Sequence, residues 1–112
     1  MAIQTNTMKQ ALALAYAASA TWGAAYTTVP GASAGTEVAG GSPAYARKAL
    51  SWSGSNGVIT ASATFDIPAS TTVLGVGVHS ASTGNYQDGA SVTSQAFASQ
   101  GTYIVTFTYT QT

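Results

Sequence analysis

Val58-Ile59-Thr60-Ala61-Ser62-Ala63-Thr64-Phe65-Asp66-Ile67 is the stretch whose reading decides the fold class. Ile59, Ala61, Ala63, Phe65 and Ile67 fall on one side, and Thr60, Ser62, Thr64 and Asp66 on the other. That period of two is a strand with one buried and one wet face. Ser53-Gly54-Ser55-Asn56-Gly57 precedes it, and Asn-Gly supplies both positive-φ positions of a type I′ hairpin. Ala46 to Trp52 reads as the strand entering that hairpin, and Pro68 ends the strand that leaves it.

Further strands follow downstream. In Thr71 to His79, Leu74, Val76 and Val78 alternate with Gly75, Gly77 and His79, so one face lacks side chains and leaves room for another backbone or a bulge. Ser80 to Gly89 is a polar turn region, and Ala90 to Phe97 a weaker strand. After Gln100-Gly101, Tyr103, Val105, Phe107 and Tyr109 share one face while Thr102, Ile104, Thr106, Thr108 and Thr110 share the other. These side chains are β-branched or aromatic throughout, which suits a pleated sheet.

Upstream, Met1 to Thr5 reads as an arm or an edge strand. Thr7-Met8-Lys9-Gln10 fits a capping box that starts a helix at Met8. The Ala- and Leu-rich run that follows continues the helix to about residue 20, with Met8, Leu12, Ala15 and Tyr16 on one face. The same residues imitate a secretory leader, with Ala18-Ser19-Ala20 as its cleavage site. We read them as a folded helix. Ala24 to Val29 is a first strand ended by Pro30-Gly31, and residues 31–41 form a long loop, a segment type that often binds. The expectation is a single mainly β domain over 1–112, a small antiparallel β-sandwich or jelly-roll-like barrel with one N-terminal α-helix at about 8–20.

The chain has three basic and three acidic side chains among 112 residues, a formal net charge of +0 and 5% charged residues. It has no basic footprint for phosphate, which argues against a nucleic-acid partner. Nor does any run reach the roughly 18–20 apolar residues of a membrane helix. The absence of cysteine removes disulfides, thiol catalysis and thiolate metal sites. So little charge suggests a surface covered by neighbours, as in a homo-oligomer or a larger particle.

Candidate chemistry is sparse, and no cofactor or metal is expected. His79 is the one histidine and shows no sequence partner that would make it a catalytic base, so it reads as a strand-end or interface residue. Glu37, Asp66 and Asp88 lack the spacing of a calcium loop, and Gly40-Gly41-Ser42 lacks the lysine of a phosphate loop. Trp22, Tyr45 and Trp52 could make a carbohydrate-stacking platform, although packing is the ordinary role of such rings. The segment Glu37 to Trp52 stands out because it holds Glu37, Arg47 and Lys48 in a nearly uncharged chain. Gly40-Gly41-Ser42-Pro43 should bend the chain back so that Glu37 meets Arg47, or each meets a facing subunit, with Lys48 on the opposite side of its strand. The candidate interface or structural residues are therefore Glu37, Tyr45, Arg47, Lys48 and Trp52.

Pro30-Gly31 through Trp52, with Gly-Thr-Glu-Val at 35–38 and Gly-Gly-Ser-Pro-Ala-Tyr-Ala-Arg-Lys-Ala at 40–49, resembles a family of small virion proteins of tailed bacteriophages, especially those of actinobacteria. The rest is similar in layout: Phe-Asp-Ile-Pro-Ala at 65–69, Thr-Gly at 83–84 and Gln-Gly-Thr-Tyr at 100–103. The chain departs from the pattern at Thr28-Val29-Pro30-Gly31, where a polar Thr-Ala-Asp-Pro-Gly run is expected. The resemblance implies a non-enzymatic structural role on the surface of the phage particle. The subunit would be a capsid decoration or cement (minor capsid) protein, or a tail fibre or minor tail protein, with the major capsid protein or tail proteins as partners. A carbohydrate-binding module facing the host cell wall is the reading from another class.

Overall fold

In the computed structural model, which describes residues 3–112, the alternating stretch is one strand of a two-sheet sandwich. The elements are α1 (Asn6–Ser19), β1 (Trp22–Tyr26), β2 (Lys48–Ala49), β3 (Ser53–Ser55), β4 (Val58–Ile67), β5 (Thr71–His79), β6 (Tyr86–Phe97) and β7 (Gly101–Thr110). One sheet has the order β2-β1-β5-β6 and the other β3-β4-β7, with every pairing antiparallel. The sheets are open, so the fold is a sandwich and not a closed barrel.

β4 buries Ile59, Ala61, Ala63, Phe65 and Ile67, the five positions its alternation selects. It pairs with β7 without a break, from Val58 opposite Thr110 to Ile67 opposite Gly101. Phe65, Ile67, Ala63 and Val105 meet Ala25, Val38, Val73 and Val76 from the other side, with Tyr45, Leu50 and Phe107 around them. Full burial of a side chain such as Phe65 contributes roughly 1.5–3 kcal/mol. The β3–β4 turn has Asn56 at φ 57 and Gly57 at φ 85, the two left-handed residues a type I′ turn requires.

Several boundaries differ from the sequence reading. The helix starts two residues early because Thr5, not Thr7, is its cap: the Thr5 hydroxyl accepts from the Met8 N–H at 3.2 Å. Gln10 does not close a capping box. Its amide bridges the hairpin instead, donating to the Gly54 carbonyl at 3.3 Å and accepting from the Gly57 N–H at 2.9 Å. The helix therefore packs through Gln10, Ala13 and Tyr16, while Met8 and Leu12 of the expected apolar face are exposed. Tyr16 stacks on Tyr109 at 4.0 Å and meets Trp52 edge-on at 5.8 Å.

The first strand is Trp22–Tyr26 and not 24–29, since Thr27 and Thr28 already bond to the loop. The expected strand at 46–52 shrinks to Lys48–Ala49, because only Trp22 and Gly23 of β1 are open to it. β6 begins at Tyr86 and crosses two irregularities against β5, at Val73/Gly75 and Val78/His79. Of the expected arm or edge strand at 1–5, residues 3–5 have no regular structure; Met1 and Ala2 lie outside the described residues.

Candidate functional site

After β1 the loop turns over the outer face of the four-stranded sheet at Pro30, and the glycines of β5 make that possible. On that face Gly75 and Gly77 present no side chain. The Pro30 ring lies where a Cβ on Gly75 would be, 2.3 Å from it, and the Tyr26 ring lies 2.6 Å from the corresponding point on Gly77. The bare face expected from the alternation is filled by side chains of β1 and its following loop. Across Gly77, the Tyr26 hydroxyl reaches His79 Nε2.

The loop also satisfies the edge of β1. The Val38 N–H donates to the Ala25 carbonyl at 3.0 Å, the Thr27 N–H donates to the Thr36 carbonyl at 2.8 Å, and Glu37 bridges to Tyr26. The Ala25 N–H, beyond the reach of β2, donates to the Tyr45 hydroxyl at 3.0 Å. Tyr45 in turn donates to Glu37 Oε2 at 2.8 Å. One hydroxyl thus links the strand edge to the carboxylate, while its ring stacks on Phe65 in the core.

Glu37 and Arg47 do come together. Arg47 Nε lies 3.2 and 3.0 Å from Glu37 Oε1 and Oε2, and Nη2 lies 2.9 Å from Oε1. The remaining nitrogen, Nη1, donates to the Ala81 carbonyl at 3.2 Å and the Gly84 carbonyl at 3.0 Å. The planar guanidinium therefore joins the 31–47 loop to the 80–85 turn, a connection that a single ammonium cannot reproduce. Burial pushes the Glu37 carboxyl upward, but the Arg47 and Tyr45 hydrogen bonds outweigh it and hold the group below its ordinary value.

His79 is 3% exposed and sits beside this pair. Its Nδ1 faces the Gly84 carbonyl at 3.2 Å, which assigns the proton to Nδ1 and leaves Nε2 to accept from Tyr26. Burial depresses its pKa below the ordinary value, and the charge of Arg47 acts the same way against the Gly84 bond and Glu37. Tyr26 and Tyr86 flank the imidazole, and the Tyr86 hydroxyl donates to the Gly31 carbonyl at 2.7 Å. Among the described residues no buried side-chain polar atom lacks a partner.

The other two candidates point elsewhere. Lys48 lies 3.9 Å from Asp66 of β4, a partly exposed ion pair between the sheets. The Trp52 indole N–H donates to the Ala20 carbonyl at 2.7 Å, and its ring packs on Tyr16, so it fastens the helix end. With Tyr45 on Phe65 and Trp52 on Tyr16, these two rings make no free stacking platform.

The sequence reading missed Tyr26 as a site residue; the signal was a tyrosine in the strand paired with Gly75-Val76-Gly77. Among the described residues no group of three or more His, Asp or Glu is placed to hold a metal ion. An open groove between α1 and the hairpin, lined by Asn6, Gln10, Leu14, Ser55 and Asn56, shares no residue with the cluster. No family model, curated protein or solved structure matches this chain.

Proposed function

We propose that the chain is a structural protein of a tailed-phage virion, a decoration or cement subunit seated on the capsid. The observation that carries this reading is that all three charged side chains of the 30–52 segment, where the sequence resemblance is concentrated, are paired within the chain. Glu37 and Arg47 brace a loop against a sheet, and Lys48 pairs with Asp66. Many of the exposed residues are Ser, Thr and Ala, with Met8, Leu12, Leu14, Val29, Val58 and Ile104 exposed among them. Such a surface suits permanent contact with neighbours through apolar and neutral hydrogen-bonding groups.

The test is the position of the protein in purified particles. Density for this sandwich on the capsomers is the expected result in a particle reconstruction. Density confined to the tail would replace the capsid assignment with a tail fibre or minor tail subunit. Its absence from the particle would overturn the virion reading.

A further inference from the structure

The two sheets end in long strands, β6 and β7, each with one neighbour among the described residues. An open edge presents alternate N–H and C=O groups without a strand partner, and proteins normally blunt it with charge, proline or bulges. β6 is blunted in this way: it crosses two irregularities against β5 and carries Asp88, whose Oδ2 accepts from the Tyr16 hydroxyl at 3.0 Å. β7 has none of these devices. It runs ten residues in unbroken register with β4 and contains no charge and no proline. Its outward side chains, Thr102, Ile104, Thr106, Thr108 and Thr110, are exposed, Ile104 at 71%.

We infer that the β7 edge is an interface for a second copy of this chain, with two β7 strands paired antiparallel about a twofold axis to make a continuous six-stranded sheet. Such an interface must be self-complementary, since each residue meets a symmetry mate of its own strand. A charged strand would meet its own charge; β7 has none to repel. An axis perpendicular to the sheet keeps inward residues inward, so residues of like parity pair. The register that pairs all nine side-chain-bearing residues places Thr106 opposite its mate. Tyr103 then faces Tyr109 and Val105 faces Phe107, while Thr102 faces Thr110 and Ile104 faces Thr108 on the outer side. These are the aromatic, β-branched and threonine pairs that stabilise antiparallel sheets. Tyr103, Phe107 and Tyr109 are half-buried in the single chain, so the mate would cover apolar surface as well as supply hydrogen bonds. This inference does not depend on the virion reading.

Sedimentation of the full chain over a concentration series tests it. The expected result is a concentration-dependent doubling of the 11.2 kDa mass. Thr106→Lys, at an exposed site, should keep the circular dichroism of the parent and weaken association by roughly tenfold or more through like charges at the axis. Mixing Thr106→Lys with Thr106→Glu should restore a heterodimer. In the otherwise cysteine-free chain, Thr106→Cys should oxidise to a covalent dimer. A wild-type chain that stays at the single-chain mass throughout the series would overturn the inference. So would a dimer that Thr106→Lys leaves unchanged, since its interface would then lie elsewhere.

Discussion

Arg47 holds both carboxylate oxygens of Glu37 through Nε and Nη2, while its Nη1 holds the carbonyls of Ala81 and Gly84. The side chains are 17% and 27% exposed, so solvent replaces little of what a truncation removes. Arg47→Ala should therefore cost roughly 1–3 kcal/mol, because a carboxylate and two carbonyls lose their donor together. Arg47→Lys should recover less than half of that, since one ammonium cannot serve both sides. Lys48→Ala, which opens a partly exposed pair at 3.9 Å, should cost under about 1 kcal/mol. Urea melts of the three variants decide it, and equal losses for Arg47→Ala and Lys48→Ala would refute the clamp.

Acid should loosen the same cluster in two steps. His79 has a folded pKa depressed below its ordinary 6.5, so its contribution is whole above about pH 6.5. Below that pH the unfolded chain binds a proton that the folded chain refuses. Stability should then fall by up to about 1.4 kcal/mol per pH unit until the folded pKa is passed. Glu37 is depressed below 4.5, so its contribution is whole above that pH and is lost as pH falls through its folded value. Melting temperature followed from pH 8 downward should bend first near 6.5. His79→Gln should abolish that upper bend and leave the lower one; a bend that survives belongs to another group.

Gly77 is fitted to Tyr26. A Cβ at residue 77 would lie 2.6 Å from the Tyr26 ring and 3.0 Å from the Asp88 carbonyl. Gly77→Ala should cost about 1–3 kcal/mol by overpacking. Much of that penalty should vanish in a Tyr26→Ala background, because the two sites are in contact and their effects should not add. Strict additivity in a double-mutant cycle would mean that the Tyr26 ring is not what excludes the side chain.

The two threonines at the start of the helix should behave differently. Thr5→Ala removes the hydroxyl that accepts from the Met8 N–H and should cost about 0.5–2 kcal/mol. Thr7→Ala alters an exposed position within the first turn and should be close to neutral. Thermal denaturation of the pair suffices, and a larger loss for Thr7→Ala would move the cap back to residue 7.

Local patterns determined a large part of this fold by themselves. The alternation in 58–67 selected the buried face of β4 residue by residue, and Asn56-Gly57 selected its hairpin, because strand parity and left-handed φ are properties of adjacent residues. The bend at Gly40-Gly41 and the scarcity of charge left Glu37 two partners, Arg47 or a facing subunit, and the fold pairs it with Arg47. Boundaries and the wider cluster needed the tertiary structure. Lys48–Ala49 is a strand only as far as β1 offers an open edge, and beyond it Val38 and the Tyr45 hydroxyl take that edge. Gln10 looked like half of a capping box, yet the hairpin 44 and 47 residues away offered it better-placed partners. His79 and Tyr26 are 53 residues apart and meet because β1 and β5 pair and Gly77 between them has no side chain. Contacts of that kind depend on strand pairing and on which loop covers which face, and no local periodicity encodes either.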